Sequence, residues 1–401
     1  MNLAKAKPNK QFLMLGSLHI LNDGYLASFL LLLPFIATSY NLDLAEIGFL
    51  GTILNSASVL LALPAGVIAA KFGGLRTLIL ALVIYCLGLL GCGLFSNFYL
   101  IIAMYALGGI GFGAFHPIAF ALIAKWSPKA ARGKNMGNFT AIGDVGRIAI
   151  TTALSFIAVA IGWQQTALLY AALALIIGTI FYYLFINKKD KIAVKEPTAT
   201  PMTLRQVIKN KRFILATTTG ALDTFASASL FVFLPFLLIK RGIDPALLGA
   251  FIATFFIGNL FGKTLLGRLV DKFGNAQVLI ASELAMVLFI LLLANATEPF
   301  VIITCSIILG VFTKGTAPVI QTMISDSVEH HGNFEKAFGF STTTAGIMLT
   351  IAPITLGLAS DKLGIINAFN IMAGVALVAI IPAIWFMISK KQWYLGRGDR
   401  I

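Results

Sequence analysis

Twelve long apolar segments, separated by short polar breaks, constrain the fold of this chain more than any other feature of its sequence. Each offers roughly the 20 residues that a helix needs to cross a bilayer. Only 11% of the 401 residues are charged, against roughly 25% in a soluble domain. This composition excludes soluble enzymes, nucleic-acid-binding proteins and disordered scaffolds, and it predicts an all-α membrane protein. The predicted helices span residues 11–37, 45–70, 75–95, 98–125, 135–160, 164–187, 212–239, 245–270, 275–296, 299–325, 335–360 and 364–389.

One polar break is much longer than the others. Residues 188–211 contain six lysines and two prolines, a composition typical of a hydrophilic linker. We interpret it as a cytoplasmic linker between two six-helix halves, residues 1–187 and 212–401. The first apolar run is too long for the core of a signal peptide, so we interpret it as the first membrane helix.

The net charge of +14 is a topology signal. Of the 30 lysines and arginines, 24 fall in the two tails and in the breaks that follow even-numbered helices. Basic loops stay in the cytoplasm, so we expect both termini there and a multi-pass protein of a bacterial-type inner membrane. The lipid bilayer is therefore the expected partner of the basic residues, and nucleic acid is not.

An internal repeat relates the two halves at a constant offset of 201 residues. The resemblance does not come from apolar composition alone, because charged residues, glycines and prolines match. Six helices per half keep the same orientation, so the repeats are parallel, which is one known transporter design with a site near the bilayer midplane. Matched pairs include Ser28 with Ser229, Pro34 with Pro235, Asp43 with Asp244, Gly48 with Gly249, Lys71 with Lys272, Gly73 with Gly274 and Pro117 with Pro318.

A loop motif in each half resembles the signature of the major facilitator superfamily. Residues 267–274 read GRLVDKFG, and the first-half copy at 66–73 reads GVIAAKFG. Ala70 stands where the family has an acid, so the resemblance implies a latch at Asp271 rather than in the first half. It also implies twelve transmembrane helices in two parallel six-helix pseudo-repeats, the major facilitator fold. The residues it assigns to conformational gating are Gly66, Gly73, Gly267, Asp271 and Gly274.

Three shorter motifs are similar to the fosmidomycin-resistance type of drug exporter. They are HILND at residues 19–23, FHP at 115–117, and the glycine-containing stretch at 133–143. This resemblance implies export of a solute driven by proton entry.

Carboxyls at membrane depth are the first candidates for proton coupling. A charge in the bilayer core costs several kcal/mol unless it is paired or faces water. Asp23 lies halfway along the first helix, one turn after His19, and Asp223 occupies nearly the equivalent depth in the seventh. We predict that Asp23 and Asp223 carry protons; a structural carboxylate bonded to neighbouring groups is the alternative. Glu283 is expected near the cytoplasmic end of the ninth helix and receives no role.

Basic and polar residues at the same depth are candidates for substrate binding. Arg147 either pairs with Asp144, three residues earlier on the same face, or presents its guanidinium to an anion. Lys314 lies in the opposite half, and both cations together favour an anionic or zwitterionic substrate. His116 sits at a predicted proline kink. The predicted substrate-binding residues are His19, Asn22, His116, Asp144, Arg147 and Lys314.

These observations predict a secondary active transporter: proton-coupled efflux of a small anionic or zwitterionic compound, drug-like, phosphonate or carboxylate, by alternating access. The alternatives are a proton-coupled importer or facilitator of organic anions or of a carboxylate siderophore, a metal-ion transporter at His19 and Asp23, and a non-transporting sensor. We find no enzyme constellation in the sequence and expect no cofactor and no resident metal. The expected partners are the small-molecule substrate, protons and lipid, with the chain acting as a monomer.

Overall fold

The computed structural model describes residues 10–127, 132–185, 209–328 and 334–395, and every regular element in these ranges is helical. The predicted linker lies outside the described residues except for its last three. The helices are α1 Lys10–Tyr40, α2 Leu44–Phe72, α3 Gly74–Leu94, α4 Phe98–Trp126, α5 Arg132–Ile161, α6 Trp163–Phe185, α7 Lys211–Ala228, α8 Leu230–Lys240, α9 Leu248–Phe273, α10 Asn275–Asn295, α11 Pro299–Val328, α12 Phe334–Leu363 and α13 Ile365–Leu395, with a 3₁₀ turn at Pro245–Leu247.

Within the described residues, twelve helical segments are long and apolar enough to cross a membrane. Two of the thirteen helices, α7 and α8, form a single span from Lys211 to Lys240. They are separated at Ser229, which caps both. The predicted fold class, an all-α protein with twelve membrane helices, is therefore confirmed.

The helix boundaries follow the 201-residue offset. Adding 201 to the ends of α3, 74 and 94, gives 275 and 295, which are the ends of α10. The offset also relates backbone positions that have a positive φ: Asn41 (51°) to Gly242 (79°), and Gly73 (96°) to Gly274 (87°). Left-handed backbone is rare outside glycine and asparagine, so these matches extend the repeat from sequence to local conformation.

The chain divides into two compact units. Unit 1 comprises residues 1–40, 53–194 and 245–250, and unit 2 the remainder. Within unit 1, α1 packs against α5, and α3 packs against α4 and α6. Within unit 2, α10 packs against α11 and α13, and α7 packs against α11, α12 and α13.

The start of α2 belongs to unit 2 and is held by reciprocal caps. The Glu46 N–H donates to Asp43 Oδ1 at 2.8 Å, and the Asp43 N–H donates to Glu46 Oε2 at 3.0 Å, which is a capping box. Asp361 of α12 accepts the N–H groups of Leu44 and Ala45 at 2.9 and 2.7 Å. The unpaired donors at this helix end are thereby satisfied.

Glycines allow α1 and α5 to approach closely. A Cβ at Gly146 of α5 would overlap the backbone of Ile20, and a Cβ at Gly24 of α1 would overlap Ile150. Small residues at such crossings bring helix backbones together in membranes. The close contact places the polar side chains near the middle of α1 directly against those of α5.

Candidate functional site

Asp23 lies at the centre of a buried polar cluster in unit 1. Its Oδ1 accepts a hydrogen bond from Asn22 Nδ2 at 2.9 Å and lies 3.5 Å from His116 Nε2. Its Oδ2 lies 2.8 Å from an Arg147 guanidinium nitrogen and 3.2 Å from His19 Nε2. Both carboxylate oxygens therefore have two nitrogen neighbours each, contributed by α1, α4 and α5.

Arg147 bridges two acids. One guanidinium nitrogen contacts Asp23, and the other donates to Asp144 Oδ1 at 2.6 Å. Asp144 and Asp23 are buried, so each would carry an uncompensated charge without this arginine. The pairing of Asp144 with Arg147, open from the sequence, is thus present, and Arg147 also reaches α1.

His19 has an acceptor at each ring nitrogen. Its Nδ1 lies 2.8 Å from the carbonyl oxygen of Phe139, and its Nε2 faces Asp23. A neutral imidazole has a single N–H and can donate to only one of these acceptors. The Nε2 atom is within ion-pair distance of Asp23 but makes no hydrogen bond in the structure.

Aromatic rings surround the two histidines. The His19 ring stacks on Phe139, with centroids 4.0 Å apart, and on Phe115 at 5.5 Å. His116 packs edge-on against Phe112 and Phe115. These rings form an apolar wall around the two histidines.

The members of the cluster differ in their exposure. His19, Asp23 and Asp144 are at most 2% exposed, whereas His116 is 29% and Arg147 16% exposed. Gly143 of α5 makes room beside the buried pair, because a Cβ there would overlap Asp23 Oδ2 and His19. A solute that reaches the cluster therefore meets His116 and Arg147 first.

A metal ion is a chemical alternative for part of this cluster. Ligand atoms of His19, Asp23 and His116 lie within 4.8 Å of one another, a spacing that a divalent cation could bridge. The Arg147 guanidinium occupies the same carboxylate at 2.8 Å, and its charge opposes a second cation there. We therefore interpret the cluster as a hydrogen-bonded charge network.

A second buried polar group lies in unit 2. Asp223 of α7 lies close to Glu283 of α10 and to Thr316 of α11, and Lys314 is the neighbouring cation. Glu283 is fully buried at the ninth residue of α10. Its buried position beside Asp223 gives this side chain a significance that the sequence analysis did not assign.

The predicted gating residues lie at helix ends away from both clusters. Gly73 and Gly274 precede α3 and α10 with a positive φ. Gly66 and Gly267 have no atom within 4 Å of an added Cβ, and Asp271 is exposed. Only the two turn glycines have a local conformational reason to be glycine.

Three residues near the clusters were missed from the sequence. Phe139 supplies the carbonyl and ring that hold His19. Tyr85 of α3 is fully buried and close enough to Asp23 and Arg147 to interact electrostatically, and its hydroxyl lies without a hydrogen-bond partner. Glu283 pairs with Asp223. An aromatic residue in an apolar helix carries no distinguishing signal, whereas Glu283 was detectable as a charge within a span.

Twelve membrane-length helices within the described residues, in two sequence-related sets, form the frame of a polytopic membrane protein. The chain belongs to the Major Facilitator Superfamily, whose family model matches residues 13–241 and 216–392.

Curated relatives include a transport protein for an organic acid and a multi-drug efflux pump by name. The chain is 23% identical to the cis,cis-muconate transport protein of Acinetobacter baylyi, covering 89% of each chain. It is 25% identical to the multi-drug resistance efflux pump PmrA of Streptococcus pneumoniae, covering 69% of each. These relatives do not single out the fosmidomycin-resistance type, which stays a prediction.

Solved structures share the fold. A bacterial homologue of the human lysosomal transporter Spinster superposes with a TM-score of 0.77 at 14% identity, covering 99% of this chain and 100% of the other. The nucleoside transporter NupG superposes with a TM-score of 0.74 at 16% identity, covering 94% and 99%.

Proposed function

We propose that the chain is a proton-coupled efflux transporter of a small anionic or zwitterionic compound, acting as a monomer by alternating access in a bacterial inner membrane. Asp23 is the principal coupling residue, and Asp223 the second. The observation that carries the proposal is the contact of the buried Asp23 carboxylate with His19, His116 and Arg147. Such a cluster can bind either a proton or the positive group of a substrate at the same carboxylate.

Exchange follows from the charge balance of the cluster. With one proton at the His19–Asp23 contact, an imidazolium and a guanidinium balance the carboxylates of Asp23 and Asp144. A zwitterion whose cationic group binds the Asp23 carboxylate competes with that proton for the same site, while its own carboxylate binds Arg147. Proton and substrate then compete, and a proton gradient directed inward drives the substrate out.

A second candidate function, in which coupling has the opposite sense, applies to a substrate that carries only negative charge. The anion can bind the Arg147 guanidinium only when that cation no longer neutralises Asp23. This condition is met when Asp23 holds a proton. Proton and anion would then bind together and move inward, as in an importer of organic anions. The bridging of Asp23 and Asp144 by Arg147 and the similarity to the muconate transport protein favour this second function.

Transport by purified protein in proteoliposomes tests the proposal. Liposomes are loaded with a zwitterionic or an anionic solute, and an inward proton gradient is imposed. We expect the gradient to accelerate release of a zwitterion, and Asp23→Asn to reduce this release to the rate of protein-free liposomes, because the asparagine can neither bind nor release the proton. Exchange of the zwitterion without a gradient should slow as well, because the variant lacks the carboxylate that binds the cationic group of the substrate.

The matched control is Glu298→Gln, which neutralises an exposed acid and should leave the gradient effect unchanged. Retention of gradient-driven release in Asp23→Asn would refute the coupling role of Asp23. Uptake rather than release under the same gradient would replace the efflux proposal by anion import.

A further inference from the structure

The buried acids of unit 2 pose a hydrogen-bonding problem. Asp223 and Glu283 are in contact, yet Asp223 Oδ1 and both carboxyl oxygens of Glu283 face no hydrogen-bond donor. An ionised carboxylate can only accept hydrogen bonds. Two ionised groups at this contact would therefore repel each other and leave buried oxygens unsatisfied, which costs several kcal/mol.

One proton resolves the conflict. A protonated carboxyl has an O–H that donates to the neighbouring carboxylate, and two carboxyls that share a site bind one proton between them. We propose that Asp223 and Glu283 form a proton-binding site. Glu283 holds the proton, and its O–H donates a hydrogen bond to the Asp223 carboxylate. The proposal rests on the coupling role proposed for Asp223 and adds the residue that carries the proton.

The surrounding charges favour Glu283 as the proton carrier. Lys314 of α11 is the cation that acts on Asp223, and Thr316 also contacts Asp223, so the negative charge is balanced there. The charge that acts on Glu283 is that of Asp223. Asp223 therefore stays ionised beside Lys314, and Glu283 stays neutral.

The other helices packed against the pair carry their ionisable groups elsewhere, and α12, which packs against α7, has Asp361 and Lys362 in its last turn. Helix α13 packs against both α7 and α10, and its residues from Ile365 to Ser389 include no ionisable side chain. Within α7 the remaining charges are Lys211 and Arg212, at its first turn, about three turns before Asp223. Within α11 the remaining ionisable side chains are Cys305 and Asp326. Asp326 accepts a hydrogen bond from Asn275.

Infrared spectroscopy of the purified protein in lipid nanodiscs tests the proposal without any substrate. We expect the carbonyl band of a protonated carboxylic acid at neutral pH, and its loss as the pH is raised. Glu283→Gln should abolish this band, since the amide donates to Asp223 in place of the acid. Asp223→Asn should retain the band at a shifted frequency, because burial alone keeps Glu283 neutral while its acceptor changes.

Glu298→Gln, at an exposed glutamate, serves as the control and should leave the band unchanged. A band of equal intensity in Glu283→Gln and in the original protein would overturn the proposal. Absence of the band from the original protein would also overturn the proposal. This outcome needs no variant, so the test stays decisive if Glu283→Gln fails to fold. Because no transport is measured, the band can be present even if the proposed coupling through Asp23 fails.

Discussion

At the scale of single residues, Asp23 shows how a buried carboxylate is stabilised in a membrane helix. Its carboxylate is buried, and every neighbour at its oxygens is a nitrogen: Asn22, His19, His116 and Arg147. The sequence could indicate Asp23 and His19, because they lie one turn apart in one helix. It could not indicate that Arg147 reaches Asp23, because that contact depends on how α1 packs against α5.

Replacing Arg147 should be costly for stability as well as for function. We expect Arg147→Ala to lower the free energy of unfolding by about 3 kcal/mol, since removing one partner leaves buried carboxylates without a cation. The melting temperature of the detergent-solubilised protein measures this effect. Arg147→Met combined with Asp23→Asn and Asp144→Asn should recover much of the loss, because no buried charge then remains.

Arg268→Ala is the matched control, since Arg268 is exposed and surface arginines contribute little. Equal melting temperatures for Arg147→Ala and Arg268→Ala would contradict the bridging role of Arg147.

At the scale of elements, most helices could be predicted from apolar length alone. The predicted helix over residues 75–95 corresponds to α3, Gly74–Leu94, within one residue at each end. The seventh span was predicted as one helix, yet it is divided at Ser229. No glycine or proline marks that position, and its sequence equivalent Ser28 lies within the continuous α1. The break therefore depends on tertiary packing rather than on a local signal.

The contact between α1 and α5 gives a prediction at this scale. Gly146→Ala should lower the free energy of unfolding by about 2 kcal/mol, because the added methyl overlaps the backbone of Ile20 and overpacking costs typically 1–3 kcal/mol. Thermal unfolding of the purified variant measures the change. The Gly146→Ala substitution should also weaken gradient-driven transport, since α1 and α5 carry Asp23 and Arg147.

Gly178→Ala in α6 provides the comparison. Its added Cβ would lie 3.5 Å from Leu82, an ordinary contact, and alanine is the better helix former by about 1 kcal/mol. The variant should be as stable as the original protein or more stable. A melting temperature for Gly146→Ala at or above that of Gly178→Ala would refute the close-packing argument.

At the scale of the whole molecule, the offset of 201 residues relates two units that differ in their buried chemistry. Unit 1 balances two acids with Arg147 and histidines, whereas unit 2 places Asp223 against Glu283 beside Lys314. The repeat predicted the helix boundaries because apolar length is conserved in both copies. It could not predict the two clusters, because Asn22 rather than Asp23 matches Asp223 and the equivalent of Glu283 is Leu82.

The basic residues give the last prediction, the orientation of the whole chain. Since 24 of the 30 lysines and arginines fall on one predicted side, and basic loops are retained in the cytoplasm, both ends should lie inside. A C-terminal green fluorescent protein fusion should fluoresce, and a C-terminal alkaline phosphatase fusion should be inactive, because each reporter matures on one side only. Fusions truncated after Asn41, between α1 and α2, should give the reverse result. Phosphatase activity at the full-length C terminus would show that the basic side faces outward.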